Sequence, residues 1–122
     1  MKIISTTEDP AAIGPYSQGY EVGNLVYTSG QIPVDHVTGQ IPEVIAAQAE
    51  RSCMNVGAVL SAAGVGFDRV FKTTCFLADM ADFAAFNAVY ERFFVSKPAR
   101  SCVAVKQLPK GVLCEIEAIA EK

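Results

Sequence analysis

The chain opens on short apolar runs separated by turn residues. Lys2 to Ser5 reads as a first strand, Gly14-Pro15 marks a turn, and Ser17 to Val22 and Leu25 to Ser29 flank Gly23-Asn24 as the arms of a hairpin. A loop with Pro33, Gly39 and Pro42 follows. The period then changes: Ile45, Ala49, Val56, Leu60 and Ala63 recur at spacings of three, four or seven, which predicts one face of a helix, closed by Gly64. Arg69 to Ala78 carries Val70, Phe71, Cys75, Phe76 and Leu77. These are apolar at both parities, so the segment is expected to be a strand covered on both faces, one by a helix layer and the other by a neighbouring subunit. Asp79 and Asp82 open a second helix with Phe83, Phe86, Tyr90, Phe93 and Phe94 on its inner side. Last strands are expected at Arg100 to Lys106 and Leu113 to Ala120. The order βββαβαββ specifies an α+β fold, a mixed sheet with its two helices on one face, in a single domain over residues 1–122.

Composition adds an expectation that the pattern alone does not. Hydrophobic residues make up 51% of the 122 positions and charged residues 19%, where about 25% charged is usual. A domain this small has little interior for the excess, so an oligomer is expected. The net charge of −3 provides no basic stripe to neutralise phosphates, which argues against nucleic-acid binding. No apolar stretch is long enough for a membrane span or a signal segment, and a cytoplasmic protein is the default expectation. Cys53, Cys75, Cys102 and Cys114 form no C-x-x-C pair and read as reduced, mostly buried thiols. His36 is the one histidine, so neither a histidine-built metal site nor a Ser-His-Asp triad is expected.

The candidate chemistry lies in polar residues placed where the pattern asks for apolar ones. Asn87 interrupts the stripe Phe83, Tyr90, Phe94; it either caps a neighbouring loop or faces a ligand. Arg100 is the one charge between Lys97 and Lys106, and its guanidinium fork suits either a structural salt bridge or a substrate carboxylate. On the last strand Cys114, Ile116, Ala118 and Ala120 face one side, while Glu115 and Glu117 share the other with Leu113 and Ile119. Those carboxylates fit an exposed edge, or a general base whose pKa is raised beside an apolar interface. Cys102 has no histidine nearby in sequence to activate it and reads as an inert thiol. Gly64-Val65-Gly66 follows a helix, not a strand, and is no dinucleotide fingerprint.

Five segments in order resemble the reactive intermediate deaminase family, the Rid or YjgF-like proteins, and its RidA branch. They are Gly14-Pro15-Tyr16-Ser17-Gln18, Thr28-Ser29-Gly30-Gln31-Ile32-Pro33, Phe86-Asn87-Ala88-Val89-Tyr90 with Phe93-Phe94, Pro98-Ala99-Arg100-Ser101-Cys102-Val103, and Glu115-Ile116-Glu117-Ala118-Ile119-Ala120. The resemblance implies a chorismate-mutase-like fold assembled as a homotrimer, with sites in the clefts between subunits. It also implies hydrolysis of small-molecule 2-imino acids and their enamine tautomers, such as 2-iminobutanoate and 2-iminopropanoate, to 2-keto acids and ammonia, without metal or cofactor. By position, Arg100 clamps the substrate carboxylate with help from the Gly30 N–H. Glu115, not Glu117, activates the water, and Tyr16, Ser29, Asn87 and Cys102 line the pocket.

One segment departs from the family pattern. The connection from the second helix to Pro98 is only Val95-Ser96-Lys97, shorter than is usual in the family and without its aromatic residue before the proline. A shorter, more open or more positive pocket wall is the expectation. The alternative function is a non-catalytic trimer that binds small carboxylates or acts as a chaperone-like module. A ribonuclease, an activity attached to relatives, ranks last on charge and histidine content.

Overall fold

The expected element order is present in the computed structural model, which describes residues 1–122. The strands are β1 (Lys2–Ile4), β2 (Gly19–Val22), β3 (Leu25–Thr28), β4 (Val70–Leu77), β5 (Ala99–Ala104) and β6 (Cys114–Glu121), and the helices are α1 (Ile45–Ala62) and α2 (Phe83–Phe93). They form one six-stranded sheet in the order β1-β2-β3-β6-β4-β5. Every pairing is antiparallel except β4 with β5, so the sheet is mixed.

Some ends differ from the sequence expectation for local reasons. Asp79 accepts a hydrogen bond from the Ala81 N–H and caps a single 3-10 turn, Met80–Asp82, so α2 itself begins only at Phe83. Strand β5 stops at Ala104 because its partner β4 stops at Leu77; one further bond, Val105 N–H to Leu77 O, ends the ladder. Helix α1 ends before Gly64, whose φ of +80° is the left-handed conformation a side chain would oppose.

Both helices pack on one face. Val56, Val59 and Leu60 of α1, Phe86 and Tyr90 of α2 and Phe94 just past its end meet Cys75, Leu77, Ile116, Ala118 and Ala120 in one core. Tyr90 stacks on Phe94 with ring centroids 4.3 Å apart, and Phe67 meets Phe94 edge-on at 5.1 Å. The other face is not covered within the chain: Lys72, Thr74, Phe76, Glu115, Glu117 and Ile119 are half-buried, and Phe71 and Val103 are exposed. The double-parity apolar pattern of β4 therefore has one of its two expected covers here. No helix is long and apolar enough to cross a membrane.

Buried polar residues of α1 fix the loop that leads away from the hairpin. Asn55 is fully buried and its Nδ2 donates to the carbonyls of Ile32 and Val34 at 3.0 and 2.9 Å. Gln48 links the Pro42 carbonyl to the Leu113 N–H. Asn55→Ala is expected to destabilise the fold by about 2–4 kcal/mol, because it orphans two carbonyls and also deletes the bond that Asn55 Oδ1 accepts from Arg51. A lowered urea midpoint with unchanged slope checks this.

Candidate active site

Arg100 lies at the start of β5, on the helix-facing side. Its Nη1 donates to Asn87 Oδ1 at 2.8 Å, and its guanidinium carbon lies 4.8 Å from the centroid of Tyr90 and 5.5 Å from that of Phe83. Tyr90 is held in turn by a 2.6 Å hydrogen bond between its hydroxyl and that of Thr73. Burial pushes the Tyr90 phenol up to about 12, so it remains neutral. Of the two sequence readings of Arg100, the salt bridge is not what forms: the acidic partners of the chain's ion pairs are taken by Lys2, Arg51, Arg92 and Lys122. Nor does Asn87 cap a loop; its side-chain oxygen orients the guanidinium. The fork is thus pre-aimed by an amide and an aromatic platform while its charge is uncompensated. It lines a cavity of about 500 Å³ together with Asn87, Tyr90, Glu91, Pro98 and Lys97. Lys97, in the short connection and at φ +52°, adds a second positive charge to this wall.

Glu115 lies on the opposite, open face. Strand β6 sits between β3 and β4, so the edge explanation for its two carboxylates is excluded. Glu115 is half-buried, and burial, then the neighbouring Glu117, raises its pKa above the ordinary carboxylate value. It packs against Gly30: a Cβ there would lie 2.9 Å from the Glu115 carboxyl carbon and collide with its oxygen. Paired bonds between Gln31 and Ile116 fix that approach, at 2.7 and 3.2 Å. The Gly30 N–H makes no hydrogen bond within the chain, as an anion-binding donor requires. Ser29 donates through its hydroxyl to the Ser17 carbonyl, and its N–H bonds the Gln18 carbonyl, which places exposed Tyr16 beside Gly30 along one small cavity.

The sequence-derived residues therefore fall into two groups. Tyr16, Ser29, Gly30 and Glu115 form one; Asn87, Arg100 and Cys102 form the other. Arg100 pairs with Thr73 and Glu115 with Phe76, three positions on along β4 and on the other face. Strands β5 and β6 are themselves two strand spacings apart, about 10 Å. A three-carbon imino acid cannot touch both side chains of one chain. Cys102 sits beside Cys75 in the β4–β5 register, and burial pushes its thiol up despite Arg100, so it is a protonated, inert thiol.

The platform role of Tyr90 is visible in sequence only as its three-residue spacing from Asn87. Gln18, which the sequence marks only as the end of the Gly14-to-Gln18 segment, binds Thr6 N–H and the carbonyls of Thr6, Asp9 and Pro10, and so shapes the Tyr16 segment.

Comparison with known proteins bears on this arrangement. The chain is 54% identical to a 2-iminobutanoate/2-iminopropanoate deaminase of Escherichia coli, over 98% of this chain and 96% of that protein. The crystal structure of the yjgF gene product of E. coli superimposes with a TM-score of 0.97 at 52% identity, covering 100% of this chain and 99% of the other. That of E. coli TdcF with bound serine does so with a TM-score of 0.97 at 49% identity and the same coverage. A family model described as Endoribonuclease L-PSP matches residues 6–122. On this full-length match and on a fold shared throughout, the chain belongs to the Endoribonuclease L-PSP, or YjgF-like, family.

Proposed function

We propose that this protein is a 2-iminobutanoate/2-iminopropanoate deaminase, which hydrolyses reactive 2-imino acids to 2-keto acids and ammonia, and that its sites form between the chains of a homotrimer. The observation that carries the reading is the pair of incomplete half-sites: an uncompensated, pre-aimed guanidinium on one face and a raised carboxyl beside a free N–H on the other. The open sheet face that carries Glu115 is the surface a second chain would cover, bringing its Arg100 edge to Gly30. The relative with bound serine supports a ligand of amino-acid size.

The chemistry asks little of the protein. A protonated imine is already electrophilic, so an anchor, a placed water and a base suffice. Arg100 and the Gly30 N–H hold the substrate carboxylate. Glu115 takes a proton from water as its oxygen bonds the imine carbon and returns that proton to the nitrogen; it then takes the carbinol hydroxyl's proton as the carbonyl forms and the carbon–nitrogen bond breaks, and passes it to the departing ammonia. The sum is one water consumed, one keto acid and one ammonium released, with Glu115 back in its starting state. The raised pKa keeps Glu115 basic enough to accept that proton.

The test couples the protein to a threonine dehydratase and threonine, with semicarbazide trapping free imine. The wild type is expected to divert 2-iminobutanoate from the semicarbazone to 2-ketobutanoate, and an unchanged partition would sink the reading. Light scattering is expected to give three times the 13.0 kDa chain mass.

A further inference from the structure

Asp9 is a buried carboxyl that the proposed mechanism does not use. It is 3% exposed, and its Oδ1 is the one buried side-chain oxygen or nitrogen without a hydrogen-bond partner. A polar atom in that condition calls for an occupant. Asp9 lines a cavity of about 80 Å³ whose walls include Tyr16, Gly30, Ile13, Ile32 and, among its charged residues, Lys110. Tyr16 and Gly30 belong to the Glu115 half of the proposed site, so this cavity shares two walls with the shelf where the substrate carboxylate is expected.

From this juxtaposition we infer that the Asp9 cavity is a side-chain subsite, which favours 2-imino acids whose side chain ends in a neutral O–H or N–H donor. The inference rests on the deaminase reading. Three considerations select the ligand class. The volume equals two to three waters, enough for a hydroxymethyl or carboxamide group. An apolar terminus would leave Oδ1 unpaired, whereas a donor satisfies it. An ammonium terminus is opposed by Lys110 on the wall and by Arg51, whose charge acts on Asp9 from α1 while it also contacts Asp35 and Asn55. His36 lines a neighbouring open groove that shares Asp9, Tyr16 and Gln18 with this cavity. Burial raises the carboxyl to about 7, so near neutral pH it both accepts and donates.

Deleting Asp9 removes an unpaired buried group, and the variant is expected to fold. The native state retains this proton to about pH 7, whereas the unfolded chain loses it near 3.8; the stability linked to Asp9 is therefore full below 3.8 and lost as pH rises through 7. Asp9→Ala is accordingly expected to raise Tm, and to do so more at pH 8 than at pH 5.

The deciding experiment generates imines in place with an L-amino-acid oxidase from homoserine and from its apolar isostere norvaline, with semicarbazide in competition. The wild type is expected to prefer the homoserine imine in kcat/KM. Asp9→Ala is expected to lower the homoserine-to-norvaline ratio about 10-fold while the norvaline imine stays within about twofold, and Asp9→Asn to retain part of the preference. Hydrolysis of both imines at a ratio indifferent to Asp9 overturns the subsite alone. Hydrolysis of neither by the wild type overturns the deaminase reading and takes the subsite with it.

Discussion

Arg100→Ala is expected to lower kcat/KM for 2-iminobutanoate by about 10²- to 10⁴-fold while leaving Tm nearly unchanged. The magnitude follows from two charge-assisted hydrogen bonds to the substrate carboxylate, roughly 1.5–3 kcal/mol each, at about 1.4 kcal/mol per decade. The small stability effect follows from the absence of any acidic partner; what Arg100 leaves behind is an Asn87 amide at the rim of a cavity where water can replace it. Arg100→Lys is expected to recover only part of the loss, since an ammonium cannot reproduce two parallel bonds and loses the stacking on Tyr90. Clamping equal in ground and transition states appears as a raised KM with kcat retained; clamping that also orients the imine carbon lowers kcat. Activity within about threefold of wild type for Arg100→Ala would remove the guanidinium from the site.

Much of this was legible in the chain because local periodicity reports local burial. The alternation of Cys114, Ile116, Ala118 and Ala120 against Glu115 and Glu117 is reproduced along β6, and the lone charge at Arg100 does mark the head of a strand. Tertiary placement was not legible. Asp9 lies among polar residues that no periodicity marks as buried, and the Gln18 amide, nine residues on, donates to its backbone carbonyl and holds that loop. The division of the site was hidden for a related reason. Arg100 and Glu115 are fifteen positions apart, and that they occupy opposite faces follows from the registers of both strands against β4. The apolar excess pointed to a covered second face, and the face itself carries Phe71, Phe76 and Ile119, with Phe76 directly opposite the carboxylate whose pKa is raised. Interface and chemistry therefore draw on one surface: a chain docked there would bury Glu115 further and push its pKa higher.

That coupling sets what Glu115→Gln should do. The carboxamide keeps the shape beside Gly30 but can neither take a proton from water nor return it to the leaving nitrogen, so kcat is expected to fall by about 10²- to 10⁴-fold with KM little changed. The pH profile separates this from mere disturbance. In the wild type the ionised carboxylate is the active form, so kcat/KM is expected to rise with pH across an acid limb centred above the ordinary carboxylate range, because burial and Glu117 hold Glu115 there. In Glu115→Gln that limb should vanish, leaving a low rate without it. Glu117→Gln, which removes only the secondary cause, should shift the limb toward lower pH with the plateau retained. If Glu115→Gln instead keeps full activity and an unaltered acid limb, the base lies elsewhere. If no catalysed rate is found in any variant while carboxylate ligands still bind through Arg100, the pocket is a binding site, and the non-catalytic trimer becomes the account of this chain.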